Sequence, residues 1–475
     1  MSSEAPEHAQ LAVIGAGPGG YSAAFRAADL GLDVTLIERH PTLGGVCLNV
    51  GCIPSTALRH AAKVRVDAER AAAFGIEFGA PTIDLDKLRT WKQETVDRLT
   101  GGLAGLARRR DVAVLHGEAR LTGANALEID GRALTFDHLI LATGSRNAHL
   151  PGLPYDDPRV LSSTDALDLA DVPARLLVIG GGVIGLEMAA VYDALGSKVT
   201  ILELSDQLLP ECDGDLVAPL QKRIAGRYEA IHLSTQLRSL DPQEDGLIAT
   251  YAGVEDGEPA VERFDAALVA VGRVPATREI GLEQAGVAVD ERDRVIVDSQ
   301  RRTNVAHIHA IGDVTPGPML AHKAIHEGRL AAEVIAGGDV ELDVRAIPAV
   351  AYTDPEVAWV GLTEKQARAE DVPFRIATFP WAASGRALAS DAADGLTRLL
   401  VDPDSGRVLG AGVVGAGAGE LIAEASFAIE LETDTEDLGL TVHAHPTLAE
   451  TLGLAAEVAE GTVTDLPRTS RRAHA

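Results

Sequence analysis

One pattern of apolar and polar positions is written twice along this chain. Leu11 to Ile14 is an unbroken apolar run, the mark of a strand buried on both faces. It runs into Gly15-Ala16-Gly17-Pro18-Gly19-Gly20, then an Ala-rich helical stretch, Tyr21 to Leu30, stopped by Gly31. A second apolar strand, Asp33 to Ile37, ends at Glu38. Much later, Leu176 to Ile179 leads into Gly180-Gly181-Gly182-Val183-Ile184-Gly185 and a helix, Leu186 to Leu195, stopped by Gly196. The strand Val199 to Leu202 follows and ends at Glu203. In both copies the acid stands 23 positions after the first glycine.

Between the copies the pattern predicts helix over Ser55 to Arg110, then short strands up to Leu139–Ala142, closed by Thr143-Gly144. A matching strand, Ala267 to Val271, closes at Gly272, and His307 to Ile311 runs into Gly312-Asp313. From about Arg345 the character changes. Val350 to Tyr352, Glu356 to Val360, Thr397 to Val401 and Val408 to Val414 read as strands, followed by helices at Glu420 to Leu431 and Leu448 to Glu460. Arg468 to Ala475 reads as a frayed tail. The fold class is α/β: two Rossmann-like dinucleotide-binding domains, then an α+β C-terminal domain.

Length and composition fit this plan. The 475 residues suffice for about three domains of ~150 residues each. No run of about 18 apolar residues predicts a membrane span. Met1 to Gln10 lacks the basic start and apolar core of a signal peptide, so a cytoplasmic protein is expected. The formal net charge of −28 repels nucleic acid and anionic membranes, and neither is expected as a partner. The acidity fits an ordinary soluble protein or an adaptation to high salt, and the sequence does not separate these.

Each Gly-rich turn follows a strand, opens a helix and is answered by an acid, which is the context a dinucleotide fingerprint requires. Gly15 and Gly180 permit the tight turn. Gly17 and Gly182 let a pyrophosphate approach, and Gly20 and Gly185 allow close helix–strand packing. Uncapped helix N–H groups serve the phosphates. Glu38 and Glu203 are placed to accept from a ribose. A carboxylate at 203, with no Arg from Leu204 to Asp213, favours NAD over NADP. The bland reading, two turns without a ligand, does not account for the matched acids. Two sites imply two dinucleotides, a tightly held flavin and a hydride carrier. The first unit precedes the cysteines and is expected to hold the flavin.

Three cysteines occur, Cys47, Cys52 and Cys212. Cys212 stands alone and reads as an ordinary thiol. Cys47 and Cys52 are separated by four residues within Gly44-Gly45-Val46-Cys47-Leu48-Asn49-Val50-Gly51-Cys52-Ile53-Pro54-Ser55. A zinc site would need further ligands, and none cluster nearby, so no metal is expected. A dithiol–disulfide couple at the start of a helix, where the dipole favours thiolate, is the better reading.

These residues resemble the dihydrolipoyl dehydrogenases, a branch of the flavin disulfide reductases. The matching stretches are Gly44 to Ser55, Leu139 to Ser145, Gly180 to Met188, Val269 to Pro275, Gly312-Asp313, Pro318 to Gly328, Phe379 to Arg386 and His443 to Glu450. Together they cover nearly the whole chain. The resemblance implies FAD over residues 1–148 and 276–345, NAD over residues 149–275 and a dimerisation domain over residues 346–475. It implies Cys47 as the thiol that exchanges with dihydrolipoamide and Cys52 as the thiol facing the flavin. It implies His445, from the other subunit of a homodimer, as base, with Glu450 orienting it. Gly144, Gly272 and Asp313 become cofactor contacts, Asp313 at the flavin ribityl chain. The His445-Pro446 bond is a candidate cis peptide. The implied partner is the lipoyl-bearing acyltransferase of a 2-oxo acid dehydrogenase complex.

One position departs from the family. A lysine usually follows Pro-Ser, pairing with the glutamate that matches Glu187; here Thr56 stands there. An unpaired Glu187 and a weakened charge-transfer thiolate are the expected consequences. Two rivals remain: another NADH-linked disulfide reductase, and a complex-bound scaffold protein with weakened catalysis.

Overall fold

Strand β1 (His8–Ile14) is buried from Leu11 onward, and its alternation divides two cores. Leu11 and Val13 pack with Ala23, Ala24 and Phe25 on one side, while Ala12 and Ile14 pack with Phe136 and Leu139 on the other. A strand with apolar side chains on both faces must be covered on both, so β1 lies central in its sheet. The computed structural model describes residues 7–254 and 257–467, which leaves the Arg468 to Ala475 tail outside the described residues. The chain divides into two compact units, Met1–Val172 with Leu268–Asp343, and Pro173–Ala267 with Val344–Ala475.

In the first unit β1 pairs in parallel with β2 (Val34–Glu38), and β2 with β3 (Ala113–His116). The antiparallel strands β4 (Ala119–Gly123) and β5 (Ala126–Ile129) lead into β6 (Arg132–Leu141), which returns parallel beside β1. The sheet order is β3-β2-β1-β6-β5-β4, with strand Ile308–Ala310 parallel to β6. Helix α1 (Pro18–Asp29) starts three residues before the predicted Tyr21, because Pro18 fits a first helical position. It packs on helix Ala321–Ile335 through small residues: a Cβ on Gly328 would lie 2.4 Å from Gly19 O.

The predicted helical stretch from Ser55 to Arg110 is two long helices. After α2 (Gly45–Val50), α3 (Cys52–Arg70) continues into a short 3₁₀ turn that stops at Gly75, whose φ is 85°. α4 (Leu85–Arg109) restarts where the Asp84 side chain accepts from Lys87 N.

In the second unit, strands Arg175–Ile179, Lys198–Leu202 and Ala230–His232 pair in parallel, with helix Val183–Leu195 between the first two. An antiparallel meander follows, Thr235–Gln243, Gly246–Gly253 and Ala260–Phe264. The C-terminal part is a five-stranded antiparallel sheet in the order Ala349–Ala351, Glu356–Gly361, Val408–Gly415, Leu396–Val401, Arg375–Pro380. Trp381 and Phe379 fill its core beneath helices Ala418–Glu430 and Glu450–Glu460. Among the described residues no helix is long and apolar enough to cross a membrane.

Candidate active site

Gly15 adopts φ 96° and Gly20 sits so close that a Cβ there would meet Gly15 O at 1.8 Å. Gly17 behaves differently. A Cβ at Gly17 would meet nothing nearer than Gly45 Cα at 3.9 Å, and Gly17 N-caps α1 without a side-chain bond. That is an open approach to uncapped N–H groups, which fits a pyrophosphate. Glu38 lies at the end of β2, 5% exposed; its Oε2 accepts Ala16 N–H at 2.8 Å and its Oε1 accepts His40 N–H at 2.9 Å. The carboxylate thus braces the turn and keeps lone pairs for a ribose.

The second copy repeats this geometry. Gly185 would place a Cβ 2.1 Å from Gly180 O, while Gly182 has nothing within 4 Å and N-caps its helix without a side chain. Glu203 accepts Gly181 N–H at 2.6 Å and Ser205 N–H at 2.7 Å. The residues of both turns fit an adenine dinucleotide.

The cysteine segment is fastened to the first turn. Gly44 N–H donates to Ala16 O at 2.8 Å, and Gly45 lies so near that its Cβ would fall 2.6 Å from Gly17 Cα. Gly44 and Gly45 have φ of 111° and 57°, a course that favours glycine. Asn49 ties the same loop by donating to Leu43 O and Gly45 O. Cys47 is half-buried inside α2, and Cys52, the more exposed, is the first residue of α3. The two thiols are hydrogen-bonded to each other. That bond, then burial, pushes the Cys47 thiol well above its ordinary range, against the expected lowering. In such a pair one sulfur holds the proton that the other gives up.

Three side chains that the sequence reading missed complete this site. Burial pushes the Tyr21 hydroxyl up, and the nearby Cys47 charge adds to it. Arg273 Nε donates to Ser145 Oγ at 2.7 Å, and Ser145 donates to Asp313 Oδ2 at 2.5 Å. Burial lowers the Arg273 guanidinium, and the Asp313 and Cys52 charges oppose that. The strand pair that carries this chain, Ser145–Asn147 with Arg273–Pro275, also joins the turns of Gly144 and Gly272, both at positive φ with open space above. Asp313 is held from behind: Glu327, fully buried, accepts Gly312 N–H at 2.7 Å, and Lys323 donates to Gly312 O at 3.0 Å. An i,i+4 Lys–Glu pair among the Ala and Leu positions of one helix face was the available sequence signal.

In the second unit, His445 Nδ1 bonds Glu450 Oε1 at 2.8 Å, and Glu450 Oε2 accepts Thr447 N–H at 2.7 Å. The His445 ring is 78% exposed, leaving Nε2 open to a reactant. His443 bonds Glu424 instead, at 2.7 Å. The His445–Pro446 peptide is cis. Burial works to raise the Glu450 carboxyl, but Thr447 N–H and His445 outweigh it and hold it below its usual range. Glu187 is not the unpaired carboxylate expected from Thr56: its Oε1 accepts Tyr352 N–H at 3.2 Å. Cys212 is buried, and burial pushes its thiol up, in keeping with an inert role. Among the described residues no three His, Cys, Asp or Glu are grouped to hold a metal.

Residues 9–328 match the family described as pyridine nucleotide-disulphide oxidoreductase, and residues 347–456 match its dimerisation domain. The chain belongs to the pyridine nucleotide-disulphide oxidoreductase family. It is a family of FAD- and NAD-dependent oxidoreductases. The chain is 54% identical to a dihydrolipoyl dehydrogenase of Vibrio cholerae, over 97% of each. It is 51% identical to one of Haemophilus influenzae, over 96% of each. Among solved structures, LpdA of Mycobacterium tuberculosis superposes with a TM-score of 0.86 at 27% identity, covering 94% of this chain and 99% of that one. The HOCl-induced flavoprotein disulfide reductase RclA of Escherichia coli gives 0.83 at 28% identity, over 93% and 98%.

Proposed function

We propose that this member of the family is a dihydrolipoyl dehydrogenase, oxidising dihydrolipoamide and passing two electrons to NAD+. The Gly44–Ala16 bond carries the reading, because it sets Cys47 and Cys52 against the first dinucleotide turn. Residues 1–148 and 276–345 would hold FAD, with Gly15, Gly17, Gly20, Glu38, Gly144 and Asp313 in contact. Residues 149–275 would hold NAD through Gly180, Gly182, Gly185, Glu203 and Gly272. Residues 346–475 would form the homodimer. A cytoplasmic setting and a lipoyl-bearing acyltransferase partner complete the proposal.

The steps follow from thiol chemistry. One substrate thiol gives its proton to Nε2 of the partner subunit's His445, and its sulfur attacks Cys47 of the oxidised pair, breaking the Cys47–Cys52 bond. The second substrate thiol then attacks the substrate sulfur of the mixed disulfide, breaking its bond to Cys47 and releasing cyclic lipoamide; its proton goes to the departing Cys47 sulfur, which leaves Cys47 as thiol, Cys52 as thiolate and His445 protonated. Glu450 fixes His445 with Nδ1–H toward the carboxylate, so Nε2 takes and returns the proton. Bound FAD supplies the two-electron transfer from the dithiol to NAD+. Ser145, Arg273 and Asp313 form a fixed polar wall beside the thiols.

Iodoacetamide labelling of the reduced, FAD-loaded protein tests the division of labour. Labelling of Cys47 is expected, and prior labelling of Cys52 would reverse the assignment. NADH-driven reduction of lipoamide in preference to glutathione disulfide separates this reading from the other disulfide reductases. No turnover with either substrate would favour the scaffold.

A further inference from the structure

Cys52 opens α3, Thr56 follows one turn on, and Arg59 lies almost two turns on. The spacing i, i+4, i+7 sets all three on one helix face. Arg59 Nη2 donates to Thr56 Oγ1 at 2.9 Å. The guanidinium therefore reaches back toward the helix start, the direction that long helical side chains take. Thr56 Cα stands about 6 Å along the axis from that of Cys52.

We infer that Arg59, moored by Thr56, is a positioning cation that favours the thiolate of Cys52. The inference rests on the reading of Cys52 as a redox thiol. It also answers the loss of a lysine at position 56, because the positive charge returns to the same helix face from position 59.

Other groups face Cys52 from the neighbouring elements. Cys47 of α2 bonds it, and Tyr21 of α1 and Arg273 of strand Arg273–Pro275 sense its charge. Asp313 acts on Cys47, and Arg329 acts on Tyr21. From α4, Lys92 is engaged by Leu167 O at 2.7 Å, and Lys63 of α3 pairs with Asp67. Arg273 is thus a cation on one side of the thiol, and Arg59 adds a second along the helix.

A half-buried cation about one turn away is expected to lower a thiol by about half a unit to one unit. The experiment follows the long-wavelength thiolate–flavin absorbance of the dithiothreitol-reduced, FAD-loaded protein against pH. Arg59→Met should raise the ionisation midpoint by about 0.5–1 unit, and Arg59→Lys should restore at least half of that. Thr56→Val, which keeps the charge but removes this hydrogen bond, should give a smaller upward shift. In 1 M KCl the difference between wild type and Arg59→Met should shrink, since a screened charge acts over only about 3 Å. An unchanged midpoint in Arg59→Met overturns the inference. If that variant fails to bind FAD, an unchanged midpoint in Thr56→Val does so instead. The midpoint is read without dihydrolipoamide turnover, so a failure of the proposed function and a failure of this inference are told apart.

Discussion

His445 and Glu450 form a closed pair: the carboxylate takes His445 at 2.8 Å with one oxygen and Thr447 N–H at 2.7 Å with the other. Both oxygens are engaged from fixed positions, so the imidazole is held in one orientation while 78% of its side chain stays exposed. An acceptor-only partner selects the tautomer with Nδ1–H, which leaves Nε2 as the basic atom.

Glu450→Gln should lower kcat for dihydrolipoamide oxidation about 100-fold, with KM changed less than threefold, because the amide no longer stabilises the charged imidazole. Steady-state kinetics decides. A kcat within twofold of wild type would show that Glu450 takes no part in proton handling.

The two glycines of the second turn should fail in opposite ways. Gly185→Ala drives a Cβ to 2.1 Å from Gly180 O and should destabilise the protein by about 1–3 kcal/mol, read as a fall in melting temperature. Gly182 has an extended φ of −79° and open space, so Gly182→Val should leave melting unchanged while raising KM for NAD+ at least about tenfold through the blocked pyrophosphate approach. Equal losses of stability in both variants would contradict the site.

Glu203 should set the choice of nicotinamide cofactor. It is 7% exposed and held by Gly181 and Ser205, so it cannot swing away from a 2′-phosphate. The ratio of kcat/KM for NAD+ over NADP+ should exceed about 100, the effect of about 3 kcal/mol of charge repulsion in a desolvated site. A ratio near one would contradict this.

His309 should make stability fall in mild acid. It is 2% exposed, neither ring nitrogen has a hydrogen-bond partner among the described residues, and burial pushes its pKa down to about 4. The unfolded chain binds this proton near pH 6.5 and the folded chain does not, so stability present above pH 6.5 is lost as pH falls toward 4. The loss is about 3 kcal/mol for this group. Urea unfolding at pH 7 and 4 measures it, and His309→Leu should flatten that part of the pH dependence. An equal slope in the variant would refute it.

Much of the site was legible because its signals are local. The strand–glycine–helix–acid order follows from steric limits at Gly15, Gly20, Gly180 and Gly185, and these limits show in the spacing alone. The close cysteines and His445–Glu450 are likewise short-range. What escaped lies across long separations or in weakly patterned segments. The Ser145–Arg273 contact spans 128 positions and rests on one arginine after a glycine. Thr235–Gln243 is largely polar and partly exposed, so its alternation is faint. Helix Gly214–Ala225 buries Leu216, Val217, Leu220 and Ile224 at helical spacing, but Pro219 within it masks the signal. The Arg59–Thr56 bond was not legible because it depends on a long side chain turning back along the helix, a direction that residue spacing does not carry.

In the proposed reaction Cys47 and Cys52 carry electrons from dihydrolipoamide to NAD+. The direct measurement is NADH formation from dihydrolipoamide and NAD+ by the FAD-loaded protein, beside Cys47→Ser and Cys52→Ser. Steady turnover is expected in the wild type and a loss of at least about 1,000-fold in each variant, since neither serine can enter a disulfide. Turnover that survives either substitution, or a wild type that forms no NADH while holding FAD, would contradict it.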